Sequence, residues 1–407
     1  MTYRITGFSP PHGIEMAGDG ASFRATDRIR IRPGADGASR VEYDLAIRGG
    51  PPPGGIGARL LCRWLEGNAD AALARLREAF RSPGPVPVIR ASTRMADRLV
   101  LPGLLAFTRM GYHYRRKRWR PLAADLGGRT AVVTGATSGI GRAAAYRLAR
   151  LGAKVTLVAR NPEAARRTAS AIRRHTGNPS VGWELADLGE MEQVRRLADR
   201  LAATGNAPHI LIHNAGALLR EKAVTREGND ASLAVNLLAP FLLTQQLLPA
   251  LEAGAPARVV TVSSGGMYLQ RMDLSLLDPP AAAYDGVRAY ALAKRGQVIL
   301  TDRWRRKWTR GKVAAHVMHP GWVDTPGIAR SLPGFRSMVR RMLRTPDQGA
   351  DTVVWLAAAR EAEVDAGGIW LDRIPHPVHI SERTRETDSE KEALWEYLRH
   401  KTGWTSR

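Results

Sequence analysis

Tyr290 and Lys294 stand four residues apart in YALAK, and Ser264 closes the run VVTVSS upstream of them. On a helix, residues at that spacing share a face, so a phenol and an ammonium can address one point. A free phenol titrates near ~10, too high for acid–base work at neutrality. A positive charge beside it favours the phenolate and lowers that value. Interconverting a carbonyl and an alcohol by hydride transfer needs such a group to give or take the proton on oxygen. Tyr-x-x-x-Lys recurs on many helix surfaces, so the pair gains meaning only beside a cofactor site.

TAVVTGATSGIGRAAA, residues 130–145, supplies that site. It reads as a short apolar strand, a glycine turn at Gly135, Gly139 and Gly141, and an alanine-rich helix. Such a unit aims backbone N–H groups and the positive end of a helix dipole at a pyrophosphate. Glycines there let the cofactor approach the backbone. Arg160 closes the next strand, LVARN, where a carboxylate would hold the adenosine 2′-hydroxyl of NAD. An arginine instead favours the 2′-phosphate of NADP by charge-assisted pairing.

From residue 129 strands and helices alternate, with strands expected at 130–134, 155–159, 181–185, 210–213, 259–263, 314–319 and 368–371. Alternation of this kind implies parallel strands, right-handed crossovers and helices on both faces. The fold class is therefore α/β, a Rossmann-type doubly wound parallel sheet, preceded by a small α+β module.

In order, TGATSGIG (134–141), Asp187-Leu188, HNAG (213–216), Asn236, VSS (262–264), YALAK (290–294) and HPGWVDT (319–325) resemble the short-chain dehydrogenase/reductase family. VSSGGM, QVILTDRW, MHPGWVDTPG and SLPGF are similar to its branch typified by dehydrogenase/reductase member twelve, and FTRMGYHY to that branch's N-terminal extension. The resemblance implies that Tyr290 is the general acid/base, with Lys294 as its pKa-lowering partner and ribose ligand. It implies that Ser264 bonds the substrate oxygen and that Asn236 holds a water for proton relay. Gly135, Thr137, Ser138, Gly139, Ile140 and Gly141 would cradle the phosphates, with Asp187 and Leu188 at the adenine and Asn214, Ala215 and Gly216 along the cofactor. Pro320, Gly321, Val323 and Thr325 would close over the nicotinamide side. His213 stands where many members carry asparagine and is expected to be a packed strand-end residue. The interval between Ser264 and Tyr290 is long; Met267, Tyr268, Leu269 and Met272 within it suggest either an apolar substrate face or a packed surface loop.

Upstream, residues 1–48 read as four antiparallel strands, followed by an amphipathic helix at 56–80. FSPPHGIEMAGDG, ASFRATDRIRIRP and GASRVEYDLAIRG resemble the C-terminal half of the START/polyketide-cyclase-like (SRPBCC) helix-grip family. Full members often bind lipids or other apolar ligands; the missing earlier elements leave a packing or dimerising module as the other reading. The expected organisation is thus a partial helix-grip module at 1–81, a linker at 82–94, a basic amphipathic extension at 95–128, the dehydrogenase domain at 129–380 and a polar tail at 381–407. A final helix in that tail is expected to begin with a Ser389-x-x-Glu392 capping box.

Composition sets the bounds. The 407 residues are 44% hydrophobic and 24% charged, as in ordinary folded chains. One cysteine, Cys62, excludes an internal disulfide and fits a reducing compartment. With no signal peptide visible in residues 1–10, a cytoplasmic place is expected. Residues 231–251 are apolar and long, but Asn236, Pro240, Thr244, Gln245, Gln246 and Pro249 mark a buried core helix. The net charge of +23 raises the question of nucleic acid, yet no nucleic-acid-binding motif accompanies it. The interleaved basic and aromatic residues of 112–120 either contact an anionic membrane peripherally or lie over the next domain. No metal site is expected, because the histidine pairs 209/213 and 316/319 lie in strands without a third ligand. The sequence therefore points to an NADP-dependent carbonyl/alcohol oxidoreductase acting on an apolar or lipid-like small molecule, with NAD the less favoured cofactor. The family resemblance adds a homo-oligomer. The competing reading is a cofactor-binding scaffold or lipid sensor with vestigial turnover, against which the intact Asn236, Ser264, Tyr290 and Lys294 argue.

Overall fold

The computed structural model describes residues 2–9, 13–19, 24–33, 39–48, 106–117, 119–203, 207–308, 312–359, 367–380 and 382–405. Two compact units divide the chain, residues 1–86 and 87–407. In the first, β1 (Thr2–Ser9), β2 (Gly13–Asp19), β3 (Arg24–Pro33) and β4 (Ser39–Arg48) form an antiparallel meander in chain order. The expected helix at 56–80, the linker at 82–94 and the start of the extension at 95–105 lie outside the described residues.

Among the described residues of the second unit the first helix is α1 (Arg109–Arg116), capped by Thr108. The basic His113, Arg115 and Arg116 of its last turn complement the negative end of the helix dipole. Then come β5 (Thr130–Thr134), α2 (Gly139–Arg150), β6 (Lys154–Ala159), α3 (Pro162–Thr176), β7 (Val181–Leu185), α4 (Met191–Ala203) and β8 (Ile210–His213). α5 (Ala231–Leu233), a π turn (Ala234–Leu238) and α6 (Ala239–Ala253) follow without a break. The chain continues through β9 (Ala257–Val262), α7 (Gly286–Lys307), β10 (Val313–Met318), α8 (Pro326–Ser331), α9 (Pro333–Val339) and α10 (Pro346–Ala358). It closes with β11 (Ile369–Leu371), β12 (Ile374–His376) and α11 (Asp388–Thr402).

The eight strands lie in the order β12-β11-β10-β9-β8-β5-β6-β7, parallel except for β12, which pairs antiparallel with β11. The chain runs outward from β5 through β6 and β7, then restarts on the other side of β5 at β8. Such a reversal opens a crevice at the carboxyl ends of the strands. Alternate strand residues feed two cores. Val132, Leu211 and Val259 face α4, α6, α7 and α11, whereas Val133, Ile212 and Val260 face α2, α3 and α10. Strands buried on both faces explain the continuous apolar runs in the sequence.

The helix from Ala231 to Ala253 has the length and apolarity to cross a membrane, but it is 78% buried inside this unit. It is core, as its polar residues suggested. The tail at 381–407 is not a separate polar appendage: α11 buries Leu394, Trp395 and Leu398, and Trp395 and Trp404 stand edge-on to Phe241 at 5.1 and 5.8 Å. Its capping box is formed by Thr387 and Glu390 instead of Ser389 and Glu392. The Thr387 hydroxyl takes the Glu390 N–H and the Glu390 carboxylate takes the Thr387 N–H, starting the helix two residues earlier. The basic stretch after residue 111 is partly consumed by packing. Tyr112 lies under the Arg344 guanidinium, Trp119 under that of Arg373, and Arg115 reaches Asp372 at 3.6 Å. Tyr114, Arg116 and Lys117 remain exposed.

Candidate active site

The crevice beside β5 and β8 is a cleft of about 590 Å³. Thr134 ties its two halves together: its hydroxyl donates to the Ile212 carbonyl (3.2 Å) and accepts the N–H groups of Asn214 (3.0 Å) and Ala215 (3.1 Å). The Asn214 side-chain amide donates to the carbonyls of Thr134 and Gly135 at 3.0 and 3.2 Å. A Cβ on Gly141 would stand 2.3 Å from that amide and 2.4 Å from the Gly135 carbonyl oxygen, so this glycine serves close packing and does not line the cleft. Thr137, Ser138, Gly139 and Ile140 do line it. Ser138 takes the N-cap position of α2 without bonding it through its side chain, unlike Asn161 at α3. The N-cap side chain thus leaves the first N–H groups of α2 to a ligand, the arrangement a pyrophosphate requires.

At the other end, Asp285 caps α7 by accepting the N–H groups of Val287 and Arg288, and one helix face brings Tyr290 and Lys294 to the cleft. Ser264 follows β9 and stands beside the Tyr290 hydroxyl, drawing the phenol's pKa down. Both serines reach the cleft wall, but the Ser263 hydroxyl is turned back to donate to the Lys294 carbonyl at 2.9 Å. Lys294 Nζ lies 5.5 Å from the Tyr290 ring centroid and donates to the Val262 carbonyl at 2.9 Å. Asn236 sits behind this wall in the π turn, its amide donating to the carbonyls of Ala217 and Ser232 and its oxygen accepting the Ala217 N–H. A Cβ on Gly216 would fall 3.1 Å from Asn236 Oδ1 and 3.6 Å from Lys294 Nζ, so the glycine keeps open the space both groups border.

The expectation that Lys294 lowers the phenol's pKa does not describe the protein's own groups. Burial pushes Tyr290 up to about 12, against the pull of Ser264, and draws Lys294 down to about 7. Desolvation disfavours both charged forms, and the ammonium spends its hydrogen bond on a carbonyl. His213 is packed as expected: it is buried, pairs with the Thr244 hydroxyl at 2.7 Å, and is pulled to about 3 by burial and the Lys294 charge.

Arg160, Asp187, Leu188, Ala215, Gly216, Pro320, Gly321, Val323 and Thr325 also line the cleft. Thr325 caps α8 and lies over the glycine turn, its methyl 3.2 Å from where a Gly139 Cβ would stand. Met267, Tyr268, Leu269 and Met272 do not reach the cleft. Met267 and Met272 are core residues, the Tyr268 hydroxyl donates to the Pro377 carbonyl, and Leu269 is 80% exposed. Of the two readings of that loop, packing holds. The apolar lining comes instead from Trp322, Ile328, Leu332 and Phe335. No cluster of metal ligands occurs among the described residues.

The short chain dehydrogenase family profile matches residues 129–333, half of the chain, and so takes in the glycine turn, Ser264, Tyr290 and Lys294. The chain belongs to this oxidoreductase family. Residues 1–81 of this short-chain dehydrogenase match a second profile, polyketide cyclase/dehydrase and lipid transport. Dehydrogenase/reductase SDR family member 12 of Bos taurus is 38% identical over 300 residues, spanning 73% of this chain and 94% of its own. Polyprenol dehydrogenase of Homo sapiens is 32% identical over 305 residues, spanning 70% of this chain and 88% of its own. Among solved structures, a candidate NAD(P)-dependent gluconate 5-dehydrogenase of Beutenbergia cavernae, with NADP bound at low occupancy, is 31% identical with a TM-score of 0.50, covering 60% of this chain and 95% of its own.

Several residues at this dehydrogenase's site, the apolar lining above among them, are not among those expected from sequence. Phe107, His319 and Trp322 line the cleft, and buried Arg344 holds the loop behind it. His319 and Trp322 flank the recognised Pro-Gly pair and were within reach. Arg344 carried no local signal, since its partners are mostly distant in sequence.

Proposed function

We propose that the chain is an NADP-dependent oxidoreductase that interconverts a carbonyl and an alcohol on an apolar small molecule. The observation that carries the proposal is a single cleft with Arg160 and the glycine turn at one end and Ser264, Tyr290 and Lys294 at the other. Thr137 to Ile140 and the N-terminus of α2 hold the pyrophosphate. Asp187 and Leu188 border the adenine, Arg160 pairs with the 2′-phosphate, and Val323 and Thr325 close the nicotinamide side. The bound nicotinamide supplies or takes the hydride and, when oxidised, a positive charge. In the reducing direction Tyr290 gives its proton to the carbonyl oxygen as that oxygen becomes a hydroxyl, while Ser264 orients it. Lys294 binds the ribose and, with a water held by Asn236 in the space kept by Gly216, restores the phenol's proton. The apolar lining from Trp322 to Phe335 and the likeness to a polyprenol dehydrogenase support an apolar substrate.

The test is NADPH oxidation by the full chain with a panel of aldehydes, ketones and quinones; absence of turnover across the panel counts against the proposal. Within that assay Arg160→Asp is expected to lower the NADPH-over-NADH preference in kcat/KM by about 10- to 100-fold, the worth of one charge-assisted bond plus repulsion. An unchanged preference contradicts the NADP assignment.

A further inference from the structure

Residues 106–108 precede the segment 129–333 that the family profile matches, yet they are fastened into the cleft. Arg344, only 2% exposed, donates to the carbonyls of Ala106 (2.6 Å), Phe107 (3.1 Å) and Thr108 (3.2 Å). It also donates to the Pro320 carbonyl at 3.2 Å and to both oxygens of Asp372 at 2.6 and 2.8 Å. The Trp322 N–H donates to the Phe107 carbonyl at 2.8 Å. With its backbone held from two sides, Phe107 places its ring edge-on to His319 at 4.6 Å and to Trp322 at 6.0 Å. A Cβ on Gly265, the residue after Ser264, would lie 3.1 Å from the ring's Cε2 atom. The ring therefore fills the corner between the residue following Ser264 and the loop that carries Pro320 and Gly321.

We infer that Phe107 is a specificity-determining residue, forming the apolar wall that meets one substituent of the carbonyl substrate beside Ser264. The inference rests on the proposed reaction. It assigns to the Phe107 ring a part in substrate choice, away from the phosphate turn and Arg160 at the opposite end of the cleft. The substrates it favours carry a flat or bulky apolar group on the carbonyl carbon; a carbonyl with only a small substituent does not reach the ring.

The test compares kcat/KM for benzaldehyde and acetaldehyde in the wild type, Phe107→Ala and Phe107→Leu, with the NADPH Kd measured directly. Phe107→Ala is expected to lower the benzaldehyde-to-acetaldehyde ratio about tenfold, the order of effect of removing one apolar contact from a pocket. Phe107→Leu restores much of the ratio, and the NADPH Kd stays within twofold in both. An unchanged ratio, or an NADPH affinity falling in step with turnover, overturns the assignment. Calorimetric binding of benzaldehyde to the NADP-loaded chain decides the matter without turnover: binding about tenfold weaker in Phe107→Ala supports the wall, whereas equal affinity, or no binding by the wild type, overturns it. A chain that binds benzaldehyde in this way but reduces nothing fails as a reductase while its pocket wall stands.

Discussion

Replacing Tyr290 by Phe is expected to cut carbonyl reduction by about 10³-fold while leaving NADPH binding unchanged, because general acid catalysis contributes about 10² to 10⁴. The substitution deletes one oxygen and keeps the ring, so α7 and its packing persist. What disappears is the proposed proton donor beside Ser264. Ser264→Ala in the same background is expected to add little, since residues acting as a unit lose their effect together. NADPH oxidation rates and a parallel NADPH titration check this; a kcat within tenfold of the wild type excludes Tyr290 as the proton donor.

Arg344→Met is expected to be strongly destabilising. Arg344 and Asp372 are a two-pronged ion pair with both side chains 1% exposed, and removing one partner of such a pair costs about 3–5 kcal/mol. Asp372 occupies the β11–β12 turn with φ of 53° and would keep, among the described residues, only Arg115, 3.6 Å away, as a cation. The carbonyls of residues 106–108 lose their Arg344 donor at the same time, while Phe107 keeps the Trp322 N–H and Thr108 the Tyr112 N–H. The thermal midpoint of the second unit should fall on the order of 10 °C. Arg344→Met combined with Asp372→Asn recovers part of that loss, because no bare carboxylate stays buried. Arg336→Met, which breaks the half-exposed pair with Asp324, should cost under ~1 kcal/mol. Equal losses at Arg336 and Arg344 contradict this reading of the pair, and calorimetry of the three variants settles it.

The sheet was legible because its central strands are apolar on both faces and the helices between the strands keep their period: 130–134 and 210–213, and the edge strand 181–185, fall where expected to the residue. The glycine turn, Ser264, Tyr290 and Lys294 were legible because each is a local pattern with a fixed chemical need. What escaped depended on contacts across the chain. Nothing near Arg344 announces that it fastens Phe107, and nothing near Met267 tells a core methionine from one facing a substrate. The final capping box was misplaced because Thr387-x-x-Glu390 and Ser389-x-x-Glu392 overlap, and only the reciprocal bonds of the first select it. The expected lowering of the Tyr290 pKa combined the Lys294 charge with a nicotinamide cation, whereas in the protein alone burial acts in the opposite direction and raises it.

That last point exposes the central claim to measurement without any substrate. Burial holds the Tyr290 phenol at about 12, and a nicotinamide cation brought beside it favours the phenolate. Ultraviolet difference titration of tyrosinate, with and without NADP and in wild type against Tyr290→Phe, reads that shift directly. The account predicts one tyrosine whose titration moves toward neutrality when NADP binds and is missing from Tyr290→Phe. A wild-type curve unaltered by saturating NADP, or a shift that survives in Tyr290→Phe, contradicts it.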